Sequence, residues 1–239
     1  MRYYGGYYGM YFDPTYLLVI IGALLCIFAQ MRVSMTFKKY SKVRSRSGLT
    51  GAQAAQRILE LSGIYDVRVE HIRGELTDHY DPSSKVLRLS DATYASTSVA
   101  AIGVAAHECG HALQHNKGYA PLSFRTALVP AANIGSKLGI PIILLGVFFG
   151  MNHLFIQIGI WVFAIAVLFQ VVTLPVEFNA SGRALSMLGN YGLMENDETR
   201  GCRKVLSAAA LTYVAAAASS ILQLLRLILL FGNNSRRND

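Results

Sequence analysis

Four long apolar segments dominate the pattern of hydrophobic and polar positions along this chain. The first, TYLLVIIGALLCIFAQM at 15–31, is about as long as a bilayer requires and lacks the basic leader and cleavage site of a signal peptide. The longest apolar stretch covers 138–174 and is interrupted only at 150–153, which predicts two helices joined by a tight turn. A last run over 205–231 predicts a further span. The pattern therefore predicts a mainly α integral membrane protein with about four transmembrane helices.

Between the first two apolar segments, residues 47–123 have an ordinary mixed composition and predict a small α+β section. Residues 50–63 begin with a capping-box pattern and continue with apolar residues at helical spacing. Alternating patterns at 67–71 and 85–89 predict strands. A second helix is expected to be capped by a serine at 96–98 and to end near His115. We therefore expect a compact helix-and-sheet unit that lies on one membrane face.

The distribution of basic residues predicts how the chain is oriented in the membrane. The chain has 22 Lys and Arg against 14 Asp and Glu, a net charge of +8. Six basic residues follow the first apolar segment within 32–46, whereas Arg2 alone precedes it, and such an excess marks the cytoplasmic side. We therefore expect a multi-pass protein of the cell membrane with its soluble section in the cytoplasm, where the basic stretch can also contact anionic lipids. Because no basic stripe is interleaved with aromatic residues, we expect no nucleic-acid partner.

These observations give a predicted order of segments along the chain. Each boundary is placed where the composition changes from apolar to polar or back. The segments are an N-terminal tail with the first transmembrane helix (1–31), a cytoplasmic α+β section (32–125), a transmembrane helical hairpin (126–176), a cytoplasmic segment (177–204), a last transmembrane helix (205–231) and a tail (232–239).

The candidate chemistry lies in the second helix of the soluble section, in the sequence HECGH. Positions four apart share a helical face, so His107 and His111 can bind one metal ion. Glu108 projects beside that ion and can accept a proton from its bound water, which is the general-base role in zinc proteolysis. Cys109 is turned about 200° away from both histidines and is expected to pack in the core. The three cysteines are too widely spaced to form a disulfide framework.

A third metal ligand must come from elsewhere, because catalytic zinc takes three protein ligands and keeps one position for water. The helical hairpin returns the chain to the same membrane face at Glu177, so this carboxylate is available. Ser181, one helical turn later, and Asn179 are candidates for orienting one of the histidines through a hydrogen bond to its ring. His115 is an unsuitable ligand, because a straight helix cannot bring a third turn onto the same ion and Gln114 replaces the glycine of the pattern HExxHxxGxxH.

His79 is the remaining candidate, as a contact to substrate. It belongs to a predicted edge strand at 73–80, which could pair with the backbone of an extended peptide. Two interpretations stay open at this stage. His79 is either a histidine on the surface of the edge strand or a side chain that faces the cleft and touches substrate.

Several strings of this sequence carry a resemblance to a known family. They are GLTGAQAAQRIL, LTDHYDPSSKVLRLS, VAAHECGHALQH, LPVEFNASGRAL and AAALTYVAAA. In this order and over nearly the whole chain, they resemble the YugP-type membrane zinc metallopeptidases, which are similar in layout to the HtpX-like gluzincins. The resemblance implies a gluzincin-like soluble section with one zinc ion on His107, His111 and Glu177, and with Glu108 as the base. Gluzincins usually have an aspartate four residues after the third ligand, and here that position is Ser181.

The sequence thus predicts a membrane-embedded zinc metalloendopeptidase that hydrolyses peptide bonds with a zinc-activated water and Glu108 as general base. Its expected substrates are membrane proteins or misfolded proteins. One alternative is a site-2-type intramembrane protease, which needs an aspartate in a later membrane segment, and none lies between Asp91 and Asp197. Another is a non-catalytic zinc-binding membrane scaffold or sensor, although structural zinc sites are normally closed four-ligand sets rich in cysteine.

Overall fold

The computed structural model describes residues 13–232, so the predicted tails at 1–12 and 233–239 lie outside the described residues. Long helices dominate this range, and a small sheet lies near one end of them. The helices are α1 (Tyr16–Tyr40), α2 (Gly51–Leu61), α3 (Val99–Asn116), α4 (Ala120–Phe148), α5 (His153–Asn190) and α6 (Asn196–Phe231), and the strands are β1 (Arg68–His71), β2 (His79–Asp81) and β3 (Val86–Leu89).

Helices α1, α4, α5 and α6 are long and apolar enough to cross a membrane. Their outer faces expose large apolar side chains such as Leu24, Phe148 and Trp161. A contiguous apolar surface of this kind is stable in contact with lipid rather than water. Within residues 13–232, the predicted mainly α architecture is therefore confirmed, with four helices that are able to span a membrane.

Close helix contacts define the bundle. Helices α1 and α6 run antiparallel, since Gly22 faces Ser219 and Tyr40 faces Gly201. Helices α4 and α5 form the predicted hairpin, and the chain turns between them through Gly150 with φ of +73°. We call the end of the bundle that carries α2, α3 and the sheet the sheet end.

The small section at the sheet end has the predicted helix and strands. Thr50 caps α2 in a reciprocal capping box with Gln53, as the sequence indicates. The sheet order is β1-β3-β2, with β1 parallel and β2 antiparallel to the central β3. Its inner face packs on α2 and α3, and the fully buried core includes Ile58, Leu87 and Ile102. This core holds α3 in a fixed position against the membrane helices.

The predicted edge strand at 73–80 is wrong over most of its length. Only His79–Asp81 forms a strand, as β2. The preceding residues turn because Gly74 and Leu76 adopt positive φ angles of 117° and 54°. An extended strand cannot contain such residues.

Two helices also extend beyond the predicted segment boundaries. Helix α5 continues past Pro175 to Asn190, so residues 177–190 are the last turns of a long helix. Pro175 removes one backbone donor, but packing against α3 and α6 stabilises the helix on both sides of it. Helix α6 begins at Asn196, where Glu195 and Glu198 form a capping box that the sequence analysis did not use. The division into domains remains a prediction.

Candidate metal centre

Helix α3 crosses α5 at very short range, and this crossing positions the candidate site. Ser98 caps α3 by accepting a hydrogen bond from the Ala101 amide at 3.2 Å. Further along α3, a Cβ atom on Gly110 would lie only 2.5 Å from the carbonyl oxygen of Ala180. Glycine is therefore required for the two backbones to touch. The contact places the turn of α5 that carries Glu177 directly opposite the HECGH sequence.

Three potential metal donors meet at this crossing. An oxygen of Glu177, Oε2, lies 3.3 Å from Nε2 of His107 and 3.6 Å from Nε2 of His111. The donor atoms of all three residues lie within 4.8 Å of one another. Glu177 is only 3% exposed, and its Oε2 accepts no hydrogen bond from the described residues.

The two distances from Glu177 to the histidine nitrogens match those between the ligands of a zinc ion. Ligand atoms at about 2.0 to 2.2 Å from zinc in a tetrahedral set lie about 3.3 to 3.6 Å from one another. A buried carboxylate oxygen without a hydrogen-bond partner carries a large free-energy cost, which a bound cation removes. Two imidazoles and one carboxylate also form a known set of ligands for catalytic zinc. The group formed by His107, His111 and Glu177 can therefore hold a metal ion.

The opposite ring nitrogens of both histidines are held by polar side chains. Nδ1 of His107 lies 3.1 Å from Oγ of Ser181, and Nδ1 of His111 lies 3.0 Å from Oε1 of Gln114. Gln114 in turn donates from Nε2 to Oδ1 of Asn179 at 3.0 Å and to the Val176 carbonyl at 2.8 Å. When each Nδ1 carries the proton and donates it, each Nε2 presents a lone pair toward Glu177.

The structure thus brings both predicted supporting residues to the site, by different routes. Ser181 contacts His107 directly, whereas Asn179 reaches His111 only through Gln114. Arg183 fixes Asn179 from the other side, with a 2.7 Å hydrogen bond from Nε to Oδ1.

Glu108 lies on the open side of the same helix turn. It is 7% exposed and lines a cavity of about 300 Å³ together with His107. The other walls come from α1, from α6 and from the loop before β2. They include Gln30, Val33, Phe37, Leu76, Asp78 and Tyr213. The cavity gives a small molecule or peptide segment direct access to Glu108 beside the three donors.

Tyr213 is one of two polar residues, with Thr212, that α6 contributes to the cavity wall. It lines the cavity, and both Glu177 and Glu108 are close enough to act electrostatically on its phenol. This residue was not predicted from the sequence, because the composition of the apolar string AAALTYVAAA gives its single tyrosine no role beyond packing. The sequence nevertheless indicated a polar contact, because Tyr213 lies in the middle of a membrane helix, where a buried hydroxyl needs a polar partner.

Gln114 was also missed, although the sequence contained a signal for it. In the sequence, Gln114 stands out only because it replaces the glycine of the pattern HExxHxxGxxH. It lies three residues after His111, on the same helical face, and is fully buried. A buried glutamine next to a metal-binding histidine is expected to hydrogen-bond with it.

The remaining candidates lie outside this group. His79 does not line the cavity; its Nδ1 faces the carbonyl of Thr77 at 2.9 Å and its Nε2 lies 3.4 Å from Nη1 of Arg88. Its predicted contact with substrate is not tested by this arrangement and stays a prediction. His115 is an exposed residue at the end of α3 and pairs with the hydroxyl of Tyr80 at 2.8 Å. It is therefore not among the three donors, as expected.

The electrostatics of the site favour a cation. Burial alone would lower the pKa of His111, but the nearby carboxylates of Glu177 and Glu108 raise that pKa above its ordinary value. Two carboxylates thus make the pocket attractive to positive charge. Cys109 is buried, and burial together with the charge of Glu108 raises its thiol pKa well above the ordinary value. Its thiol stays neutral and points to the Ala55 carbonyl, which agrees with the predicted packing role.

Comparison with known proteins assigns this chain to a family. Residues 15–232 match the model of the family described as "Putative neutral zinc metallopeptidase". The chain belongs to this family. It is also 49% identical over 224 residues to the "Putative membrane protease YugP" of Bacillus subtilis (strain 168), an alignment that covers 93% of this chain and 99% of that protein. No solved structure matches the chain.

Family membership and geometry agree on several predictions. The resemblance to YugP-type metallopeptidases is confirmed, and so is zinc as the cofactor for which this family is named. The chain is a membrane protein related to a protein named as a membrane protease, with four helices able to span a bilayer.

Proposed function

We propose that this protein is a membrane-embedded zinc metalloendopeptidase of the gluzincin type, with its active site at the cytoplasmic membrane face. One observation carries the proposal above all others. The nitrogens of His107 and His111 and an unpartnered oxygen of Glu177 converge at zinc-ligand spacing, and Glu108 lies beside them on the wall of an open cavity. This combination supplies three ligands, a base and access for a substrate.

In this proposal His107, His111 and Glu177 bind one zinc ion. Bound zinc would lower the pKa of its water toward about 7 and polarise the scissile carbonyl. Glu108 accepts the proton of the attacking water and then donates it to the leaving nitrogen. Ser181 and Gln114 keep each histidine in the tautomer whose Nε2 is free, and Asn179 orients Gln114.

Tyr213 is proposed as the group that stabilises the oxyanion. Negative charge develops on the carbonyl oxygen during attack, and a preorganised hydroxyl donor lowers the energy of that state. Tyr213 lines the cavity from α6, across from Glu108 on α3, and its phenol is within electrostatic reach of the site.

The proposed substrates are segments of membrane proteins or misfolded proteins near the membrane surface. The cavity is bounded by α1 and α6, two membrane helices, and by the loop before β2. Strand β2 lies at an edge of the sheet and runs along α3, with Asp78 next to the cavity and Tyr80 next to His115. An extended peptide can pair with the free edge of β2, where His79 is the proposed contact.

The cytoplasmic orientation rests on the charge distribution. Arg32, Lys38 and Lys39 lie at the sheet end of α1, as does the basic stretch that follows. Such an excess of basic residues favours retention on the cytoplasmic side.

The proposal is tested by purifying the full chain in detergent and measuring zinc content and cleavage of an unfolded protein. The Glu108→Gln variant should keep stoichiometric zinc and lose at least about a hundredfold of activity, since general-base catalysis contributes about that much or more. Glu177→Ala should lose zinc as well as activity. Glu60→Gln, on α2 away from the site, serves as the control and should keep both.

Two outcomes would reject parts of this proposal. If Glu177→Ala retains full zinc content, Glu177 is not the third ligand. If the wild type binds zinc but cleaves no peptide substrate, the non-catalytic scaffold or sensor is the better interpretation. The site-2-type alternative requires an aspartate ligand in a later membrane segment, whereas the donor that lies beside the histidines is Glu177.

A further inference from the structure

A second cavity lies between α1 and α6, on a different face of this helix pair from the candidate metal centre. This groove has a volume of about 760 Å³ and shares no lining residue with the cavity beside Glu108. Its walls combine basic and apolar side chains. They include Phe28, Arg32, Lys39, Arg203, Lys204, Ser207 and Leu211.

The positive charge of the groove is not neutralised by the protein. Within residues 13–232, none of Arg32, Lys39, Arg203 and Lys204 forms an ion pair with a carboxylate. Other basic residues at this end do so, since Arg46 pairs with both Glu195 and Asp197. Four cations that share one groove without acidic partners create a strong local attraction for an anion.

The groove lies where the two helices change from polar to apolar. Arg32 is the first charged residue after the apolar part of α1, and Lys204 is the last charged residue of α6 before Arg226. Because the helices are antiparallel, with Gly22 opposite Ser219 and Tyr40 opposite Gly201, Arg32 lies about 7 Å nearer the apolar end than Lys204, and the two residues bracket the zone where a bilayer surface is expected. Phe28 and Leu211 line the groove on the apolar side of that boundary.

The length of the groove matches an amphiphilic ligand. From Lys39 to Phe28 the helix rises by about 16 Å, at about 1.5 Å per residue. A ligand in the groove would therefore meet Lys39, Arg203 and Lys204 at its polar end and Phe28 at its apolar end. A soluble anion, which has no apolar part, would contact only the basic residues.

We propose that this groove binds one anionic phospholipid, with the phosphate of its head group among Arg32, Lys39, Arg203 and Lys204 and an acyl chain along Phe28 and Leu211. Guanidinium groups bind phosphate oxygens in a bidentate way and lysine adds a point charge, so the basic set suits a phosphate ester. The site is independent of zinc and of the proposed peptidase activity.

The test uses the full chain in detergent, titrated with dioleoylphosphatidylglycerol or with zwitterionic dioleoylphosphatidylcholine, and native mass spectrometry to measure bound lipid. The wild type should bind phosphatidylglycerol more tightly than phosphatidylcholine. The double variant Arg203→Gln with Lys204→Gln should weaken phosphatidylglycerol binding at least about tenfold, since each basic residue near a charged lipid contributes several-fold in affinity. The matched control is Lys38→Gln with Lys42→Gln, which removes the same charge from the same end outside the groove and should change binding less than about twofold.

A second variant tests whether the open volume of the groove, and not only its positive charge, is needed for lipid binding. Ser207→Trp keeps every cation but fills the groove, because Ser207 is an exposed residue on its wall, and it should also reduce phosphatidylglycerol binding. Gel filtration and thermal unfolding verify that each variant is folded.

Three results would overturn the proposal. They are equal binding of the two lipids by the wild type, equal losses in the groove and control variants, and unchanged binding in Ser207→Trp. Glycerol phosphate, which has the head-group charge but no acyl chains, should compete poorly at equal concentration. Equal competition would be a fourth such result, because it would mean that the groove is a site for soluble phosphate esters.

Discussion

The contact between Gly110 and Ala180 makes the sharpest prediction about the metal centre. In Gly110→Ala, the new Cβ would lie 2.5 Å from the carbonyl oxygen of Ala180 and 3.0 Å from its carbonyl carbon. Both neighbours are backbone atoms of α5, so no side-chain rotation can relieve the clash. Helices α3 and α5 must separate instead.

The size of that separation can be estimated from the contact distance. A carbon and a carbonyl oxygen approach to about 3.3 Å, so the helices must move apart by about 0.8 Å at this level. Glu177 lies one turn from Ala180, and the two histidines lie on the turn that contains Gly110. Metal–ligand distances tolerate only about ±0.2 Å. We therefore expect zinc affinity to fall about 10- to 100-fold, which is the loss typical when the groups that hold metal ligands in place are disturbed.

The assay is a zinc competition titration with a chromophoric chelator on the detergent-purified protein, with thermal unfolding of the same samples. Gly182→Ala is the matched control, because it makes the same change in α5 and its Cβ would meet no atom within 4 Å. Alanine favours a helix over glycine by up to about 1 kcal/mol, so this control should keep its zinc and be as stable as the wild type or more stable. An unchanged zinc affinity in a folded Gly110→Ala variant would refute the idea that this close crossing sets the ligand geometry.

Three further predictions concern the surroundings of the donors. Gln114→Leu removes the partner of His111 and should lower zinc affinity about 10- to 100-fold, as measured by the same titration, whereas Gln56→Leu on the exposed face of α2 should have no effect. Tyr213→Phe should keep zinc and KM but reduce kcat by about a hundredfold in a steady-state peptidase assay, and an unchanged kcat would exclude an oxyanion role. Removal of zinc with a chelator should lower the unfolding temperature of the wild type, since a ligand bound only to the native state stabilises it, and should leave that of Glu177→Ala unchanged.

The membrane helices and the small sheet could be predicted because their signals are local. A long apolar run is sufficient to indicate a span, and the capping box at Thr50 fixes the start of α2 through residues only three positions apart. The helix with HECGH was equally predictable, since its spacing alone places His107 and His111 on one face. Glu177 could be named as a ligand candidate because the hairpin topology limits which residues return to that membrane face.

The errors and omissions concern properties that depend on tertiary contacts. The edge strand predicted at 73–80 fails over most of its length because Gly74 and Leu76 have positive φ angles, which arise from the local path of the loop beside α3. The continuation of α5 past Pro175 depends on packing from α3 and α6, which no local pattern encodes. Tyr213 lies more than one hundred residues from Glu108 along the chain and meets the same cavity only because α6 packs on α3.

The positions of the charged residues along α5 and α6 indicate how far the cavity reaches toward the apolar part of the bundle. Glu177 is the first charged residue of α5 after its apolar part, so the metal centre lies near the level where the apolar helices end. On α6 the cavity extends from Val205 to Tyr213, beyond Lys204, the last charged residue before the apolar part of that helix. At about 1.5 Å per residue, the Cα atom of Tyr213 lies about 13 Å beyond that of Lys204 along the helix axis. Under the proposed function, a peptide that fills this cavity up to Tyr213 enters partly into the apolar layer, which favours segments at the membrane surface over folded soluble proteins as the proposed substrates.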